Sequence, residues 1–306
     1  MIAGNTTFRS FGSMSREPGI HGLPEQQQAV SMTFMRRIVI LSAPVFCAAV
    51  WTCSVRAGEA FFLKDGQTVV FFGDSITHGR VSANYVDILE QRLAGKGFAF
   101  VNAGVNSELS WNLLQRLDDI IACKPDYITI LIGTNDANGM ISEFIRKRQK
   151  REMKLPQEPN EKWFEENLQK ICEMLQKNTS AKIALLSLPP IGEELVSIPV
   201  KKSKRLSEII QNVAQHYHLA YLPLHERLVE KIQEAKMRPK VQYTDGRQGV
   251  MYIAIAKRFL LGKSFNKISK QNGFLFLTDL LHLNENGAGV IADLVEHFIM
   301  ENNNTY

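Results

Sequence analysis

Three side chains of the types that together activate a hydroxyl group stand far apart in this sequence. Ser75 follows an apolar run that ends at Gly73, and Asp279 and His282 lie three residues apart near the end of the chain. A serine hydroxyl is a poor nucleophile at neutral pH unless a histidine accepts its proton, and a carboxylate must hold that imidazole in the right tautomer. One short loop can carry both Asp279 and His282. The three residues therefore predict attack by Ser75, with His282 as the base and Asp279 orienting it.

The same chemistry needs donors for the negative oxygen that forms when the hydroxyl attacks a carbonyl. Removing one such donor typically costs about 3 to 4 kcal/mol of transition-state stabilisation. The candidates are the backbone N–H of Ser75, the backbone N–H of Gly104 and the side-chain amide of Asn135. Each follows a predicted strand, and the carboxyl ends of parallel strands lie at one edge of a sheet. We therefore expect these donors to converge beside Ser75.

Short apolar runs alternate along the chain with stretches of helical spacing. This alternation predicts an α/β fold in which helices cover both faces of a parallel sheet. The predicted strands are residues 68–72, 99–102, 127–132, 182–188 and 220–222, and the predicted helices are residues 84–93, 111–121, 163–175 and 206–216, with others starting near His225 and near Asn286.

Two inserts, residues 137–161 and 240–277, exceed what this alternation needs, and inserts of such length commonly shape the mouth of a site. The first contains the basic segment Arg146 to Lys154. It could grip acidic sugars or phospholipid head groups, or form a solvated helical face, which we expect. The second contains an apolar helix at residues 250–261, either a lid that senses lipid or a helix packed on the core. We expect packing, because its apolar residues are not isolated.

The first 57 residues differ from the rest in composition. Met35-Arg36-Arg37, the apolar residues 38–50 and Val55-Arg56-Ala57 follow the pattern of an export signal. The alternative is a membrane anchor at residues 38–55, although this run is shorter than the ~20 apolar residues that span a bilayer. We expect one catalytic domain at residues 58–306, exported to the periplasm or the medium and without stable membrane insertion once the signal is removed.

Composition and motifs argue against several function classes. The formal net charge is +5, and residues 1–57 carry five arginines and two glutamates, so the rest keeps +2 and no nucleic-acid partner is indicated. We expect no disulfide between Cys123 and Cys172, which lie in helix-like stretches. His216, His218 and His225 lie near a helix end and a strand start without clustered carboxylates or thiolates, so we expect no metal site.

Four segments resemble, in order, the four blocks of the SGNH hydrolases, also called the GDSL esterase/lipase family. They are Gly73-Asp74-Ser75-Ile76-Thr77, Asn102-Ala103-Gly104, Gly133-Thr134-Asn135-Asp136 and Asp279-Leu280-Leu281-His282-Leu283-Asn284. The resemblance extends from about residue 67 to residue 301, apart from the inserts. Many members have a second glycine two residues after the glycine of the second block, where this chain has Asn106. Because asparagine tolerates left-handed backbone geometry, we expect the turn to survive.

The resemblance implies a three-layer α/β/α sandwich with a flavodoxin-like five-stranded parallel sheet, and ester hydrolysis without a metal or an organic cofactor. It implies Ser75 as nucleophile and first oxyanion donor, Gly104 and Asn135 as the other donors, His282 as the base and Asp279 as its partner.

By the same resemblance, Asp74 and Asp136 brace their loops. We predict an exported serine esterase that removes O-acetyl groups from carbohydrate. Two alternatives stay open: a lysophospholipase or thioesterase acting on longer acyl chains, and a glycan-binding relative without turnover.

Overall fold

Five parallel strands form one sheet in the computed structural model, which describes residues 66–236, 238–244 and 249–303. The strands are β1 Gln67–Gly73, β2 Phe98–Gly104, β3 Tyr127–Leu131, β4 Lys182–Leu186 and β5 Ala220–Leu222. Their order in the sheet is β2-β1-β3-β4-β5. This five-stranded parallel sheet confirms the predicted α/β fold. The predicted export signal lies outside the described residues.

The described residues also form helices that connect the strands and pack on them. They are α1 Ser75–His78, α2 Tyr85–Arg92, α3 Ser110–Leu114, α4 Leu117–Ala122, α5 Thr134–Ile141, α6 Glu143–Glu152, α7 Glu161–Asn178, α8 Ile198–His216, α9 Leu224–Ala235, α10 Gly249–Phe259, α11 Phe265–Asn272 and α12 Glu285–Asn302. Among the described residues, none of these helices is long and apolar enough to cross a membrane.

The two central strands explain why the core lies on both faces of the sheet. Residues 69–73 of β1 and all of β3 are buried, and these segments are rich in Val, Ile, Leu and Phe. A strand that is covered on both faces reads as a continuous apolar run rather than an alternating one. Helices therefore pack on each side.

The ends of three neighbouring strands are level with one another. Gly73 of β1 pairs with Gly104 of β2 on one side and with Leu131 of β3 on the other. The segments that follow these strands carry Ser75 and Asn135. Parallel pairing in this register therefore brings three of the predicted blocks to one edge of the sheet.

Two predicted helices differ in the structure. The predicted helix at residues 111–121 is divided into α3 and α4, because Arg116 leaves helical geometry (φ −125°, ψ 26°) to bind groups at the strand ends. The prediction that the apolar helix near residue 250 packs on the core is wrong: only Ala254 of α10 is buried. Tyr252, Ile253 and Phe259 are exposed, whereas Val250, Met251 and Ile255 are half-buried.

Candidate active site

Ser75, His282 and Asp279 form a hydrogen-bonded chain at the carboxyl edge of the sheet. The Oγ of Ser75 lies 3.1 Å from Nε2 of His282, and Nδ1 of His282 lies 2.9 Å from Oδ2 of Asp279. All three residues are at most 9% exposed. The imidazole can accept the serine proton at Nε2 only if it carries its own hydrogen on Nδ1, and the carboxylate of Asp279 favours that tautomer.

Ser75 is the first residue of the short helix α1. Asp74 caps this helix, since its Oδ1 accepts the Ile76 N–H at 2.9 Å, and Gly79 ends it in the left-handed conformation (φ 73°). The N–H of Ser75 lies in the first helical turn, where N–H groups have no partner within the helix. Gly104 must be a glycine because a Cβ there would collide with the backbone of His78.

The loop that carries His282 is closed by the side chain of Asp279. Oδ1 of Asp279 accepts the N–H groups of Leu281 at 2.7 Å and of His282 at 2.9 Å, while Oδ2 holds the imidazole. Because Asp279 and His282 are three residues apart, the same aspartate closes the turn and orients the imidazole of the histidine in that turn. Ser82 joins this turn to the segment after α1, because its hydroxyl oxygen accepts the Leu283 N–H at 3.0 Å.

Glu193 binds the backbone just before the same loop, and nothing in its sequence context pointed to this role. Its carboxylate accepts three consecutive backbone N–H groups, from Leu275 at 2.7 Å and from Phe276 and Leu277 at 2.8 Å. The side chain belongs to a residue that is 3% exposed. Burial raises the pKa of Glu193, although the three N–H groups favour its charged form.

The base and its partner titrate in opposite directions. Burial lowers the pKa of His282, but the charge and hydrogen bond of Asp279 outweigh it, with a smaller contribution from Asp74, so the pKa is raised overall. Burial raises the pKa of Asp279, yet His282 and the two loop N–H groups bring it below its ordinary value. Asp279 is therefore ionised at neutral pH, as the partner of a base must be.

Two other carboxyls near the serine behave differently. Burial raises the pKa of Asp74 to about 7 and that of Asp136 to about 6. Asp136 receives the hydroxyl of Ser110 at 2.7 Å and its N–H at 3.0 Å, so it fixes the start of α3. Both aspartates thus brace loops, which is the part expected for them.

The predicted oxyanion donors lie at the strand ends, but two of them donate within the protein. The Gly104 N–H donates to Oδ1 of Asn102 at 3.0 Å. Nδ2 of Asn135 donates to the carbonyl of Glu108 at 3.0 Å and, over a long 3.3 Å, to Oδ2 of Asp74. A substrate oxygen must take over one of these hydrogens, and the long contact to Asp74 is the weakest. The oxyanion assignment stays a prediction.

The turn after β2 has its left-handed residue one position after Asn106. Ser107, and not Asn106, adopts the left-handed conformation (φ 66°). The side chain of Asn106 instead contacts Nδ1 of His78 at 2.8 Å, so the two residues tie this turn to the end of α1.

Arg116 is a second residue that the sequence did not single out. Its Nε and Nη2 bind the carboxylate of Glu108 at 2.8 and 2.7 Å, and Nη2 also donates to the carbonyls of Ala103 at 2.8 Å and Gly73 at 3.3 Å. Its guanidinium lies 4.6 Å from the centre of the Phe72 ring. One side chain thus joins the ends of β1 and β2 to the loop whose carbonyl holds Asn135.

The first insert reaches the site through Gln149. This side chain is buried in α6, and its Nε2 donates to the carbonyl of Asn135 at 2.9 Å. The basic residues of α6 face acidic ones: Arg146 lies 3.1 Å from Glu158 and Lys147 lies 2.6 Å from Glu143. The basic segment is therefore a helical face paired with carboxylates, as expected.

His225, one of the candidate metal ligands, takes a structural position. His225 is buried, and its Nδ1 lies 2.9 Å from the carbonyl of Leu188. Within the described residues, no three His, Cys, Asp or Glu side chains are grouped as a metal site. Cys123 and Cys172 are not joined by a disulfide.

Comparisons with known proteins agree with this architecture. The profile of the GDSL-like lipase/acylhydrolase family matches residues 71–289. An acetyl xylan esterase, AlAXEase, shares 20% identity over 76% of this chain and 99% of its own, with a TM-score of 0.51. A lipase/acylhydrolase from Enterococcus faecalis shares 22% identity over 77% and 96%, with a TM-score of 0.50.

The acetylxylan esterase Axe2 from Geobacillus stearothermophilus shares 17% identity over 78% of this chain and 94% of its own, with a TM-score of 0.51. At such identities the likeness to these structures establishes the fold. No curated protein matches the chain.

Proposed function

Because the chain belongs to the GDSL-like lipase/acylhydrolase family, we propose that it is a serine esterase in which Ser75, His282 and Asp279 form the catalytic triad. The observation that carries the proposal is the hydrogen-bonded chain from Ser75 through His282 to Asp279, at 3.1 and 2.9 Å, in loops more than 200 residues apart. A merely structural serine has no need of a histidine that is itself held by a buried, ionised carboxylate.

The proposed reaction has two steps. Ser75 attacks the ester carbonyl while His282 takes its proton, and the imidazolium then protonates the departing alcohol, which leaves an acyl-enzyme. A water activated by His282 cleaves that ester and restores Ser75. The N–H of Ser75, the N–H of Gly104 and the amide of Asn135 stabilise the oxyanion in both steps.

We propose an O-acetylated carbohydrate as the substrate. Two observations favour a small acyl group. Ser75 is only 9% exposed, which limits access to its hydroxyl, and two structures of the same fold are acetyl xylan esterases. The exposed apolar side chains of α10 favour the alternative, a longer acyl chain.

The two candidate substrates differ in the acyl chain that the site prefers. We expect hydrolysis of nitrophenyl acetate and of acetylated xylo-oligosaccharides to exceed that of nitrophenyl octanoate in kcat/KM. A strong preference for octanoate would rule out the acetylesterase. Labelling by a fluorophosphonate probe tests the triad itself: it should be lost in Ser75→Ala and retained in the matched control Ser180→Ala, an exposed serine. A folded protein that never reacts would favour a glycan-binding role.

We further propose that the enzyme is exported, on the pattern at residues 35–57. Expression of the full chain, followed by fractionation and N-terminal sequencing of the mature protein, tests this. A product that keeps residues 38–55 in the membrane fraction would support the anchor instead.

A further inference from the structure

The exposed face of α10 takes no part in the chemistry above. Tyr252, Ile253 and Phe259 are 46, 56 and 60% exposed, and Leu260 and Leu261, directly after the helix, are 81 and 65% exposed. At 100° per residue, Tyr252, Ile253 and Phe259 fall within an arc of about 120°, together with the half-buried Ala256. Leu260 and Leu261 continue from the end of the helix. We call the five exposed side chains of Tyr252, Ile253, Phe259, Leu260 and Leu261 the α10 surface, which is a group of neighbouring apolar residues rather than scattered single ones.

The charged side chains in the segment that carries this surface have one sign. Residues 249–278 contain five basic residues and no Asp or Glu: Lys257, Arg258, Lys263, Lys267 and Lys270. Among the residues that the structure describes, none of the five forms an ion pair with a carboxylate. The basic helix α6 is the opposite case, since Arg146, Lys147 and Arg148 each lie beside a glutamate. The four lysines therefore have no carboxylate partner among the described residues, whereas Arg258 contacts the Lys263 carbonyl and the Phe265 ring.

We propose that the α10 surface docks on an anionic phospholipid membrane. A helix with one apolar face containing aromatic side chains, flanked by lysines, lies in the plane of a bilayer interface with its apolar side among the acyl chains. Phe259, Leu260 and Leu261 enter the boundary between head groups and acyl chains, and Lys257 and Lys263 face the phosphates. Lysine is depleted at protein–protein interfaces, so a membrane fits this composition better than a protein partner does.

The docking face is connected to the loop that carries His282. The helix after it, α11, begins at Phe265, whose N–H donates to the Glu285 carboxylate at 3.0 Å. Within α11, the hydroxyl of Ser269 donates to the carbonyl of Leu277 at 2.7 Å. Docking would therefore hold the site close to the membrane. The inference does not require lipid to be the substrate, and it does not depend on the proposed hydrolysis.

Sedimentation of the full chain with vesicles tests the proposal. We expect binding to phosphatidylcholine vesicles that contain phosphatidylglycerol, and weaker binding to phosphatidylcholine alone. Phe259→Ser/Leu260→Ser should lower the partition coefficient about tenfold or more. Lys257→Gln/Lys263→Gln should lower it about fivefold per lysine at low salt and have little effect at high salt.

The chain offers closely matched controls in α6. Phe144 is 59% exposed, against 60% for Phe259, so Phe144→Ser removes an equally exposed ring. Lys147→Gln removes a lysine that already has a glutamate partner. Neither control should change binding. Equal losses in the controls and in the α10 variants would overturn the proposal, and so would equal binding to neutral and anionic vesicles.

A local readout separates this surface from the apolar residues 38–50, which could also bind vesicles. In Phe259→Trp, the added tryptophan should be quenched by brominated phosphatidylcholine, whereas in Phe144→Trp it should not. Absence of quenching at position 259 overturns the proposal even if the protein sediments with lipid. Dimer formation that Phe259→Ser abolishes, without such quenching, would assign the surface to a second copy of the chain instead.

Discussion

Glu193 should be required for the loop that positions the base, and the conservative change Glu193→Gln tests this. In the wild type, Oε2 accepts the Leu275 N–H and Oε1 accepts those of Phe276 and Leu277. Glutamine keeps one oxygen acceptor but must place an NH₂ group against one of these N–H groups. At least one buried backbone donor, and the new amide hydrogens, then lack an acceptor.

The expected magnitude follows from those unsatisfied groups. A buried donor without a partner costs about 1 to 3 kcal/mol, and two such groups are created. Burial of the charge is what raises the pKa of Glu193. Because glutamine carries no charge, the substitution removes this cost and offsets part of the loss in the free energy of unfolding. We therefore expect the free energy of unfolding to fall by about 2 kcal/mol. A shift of the loop by about 1 Å would lower kcat/KM by roughly 100-fold.

Two measurements on each variant decide the matter: urea unfolding and kcat/KM for nitrophenyl acetate at neutral pH. The matched control is Glu194→Gln, because Glu194 is the next residue and is exposed, and it should behave as wild type. Unchanged stability and activity in Glu193→Gln would refute the reasoning. A loss of stability with unchanged kcat/KM would show that Glu193 supports the fold but does not position His282.

Three further variants test the charges of the site. The pKa of His282 is raised, and its protonated form cannot accept a proton, so kcat/KM should fall at pH values below that raised pKa. Asp279→Asn should move this acid limb of the pH profile to lower pH and reduce kcat about 10⁴-fold. An acid limb that does not move would contradict the assignment of Asp279. The pKa of Asp74 is about 7 in the folded state against an ordinary 3.8, so the folded state retains a proton that the unfolded state releases. The free energy of unfolding of the wild type should therefore decline by up to roughly 4 kcal/mol as pH rises from about 4 to about 7. Urea unfolding of Asp74→Asn at these two pH values should show a smaller change. Arg116→Met leaves the Glu108 carboxylate buried without its partner and should lower the free energy of unfolding by about 3 to 5 kcal/mol. Adding Glu108→Gln to this variant should recover part of that loss in a double-mutant cycle. If the losses of the two single variants simply add, the two side chains are not coupled.

The strand ends and the histidine loop could be predicted because their signals are local. A buried parallel strand is a continuous apolar run, and the turn of Asp279 and His282 is closed by its own side chain within three residues. Parallel order then brings Ser75 and Asn135 to one edge. The family resemblance added the order of the four blocks, which fixes how these local pieces are combined.

The contacts that brace the site could not be predicted in this way. Arg116 and Glu193 both bind backbone groups of other segments, and a carbonyl or N–H has no residue type that a sequence pattern could detect. Residues 111–121 have the apolar spacing of one amphipathic helix. That spacing carries no information on the carbonyls that Arg116 binds, where the helix is interrupted. The apolar residues of α10 were misread for a related reason: apolar spacing shows that a face exists, but not whether another element covers it.

The carboxyl groups around Ser75 divide into two kinds, and this division supports their proposed parts. Asp279 has a lowered pKa because His282 and two N–H groups stabilise its charge. Asp74, Asp136 and Glu108 have raised pKa values because burial outweighs their hydrogen bonds and, for Glu108, the nearby guanidinium. When environments separate the pKa values of neighbouring acids, the acid whose charged form is stabilised is suited to electrostatic work. Of these four carboxyls, Asp279 is the one whose pKa is lowered, and it is also the one that contacts the base.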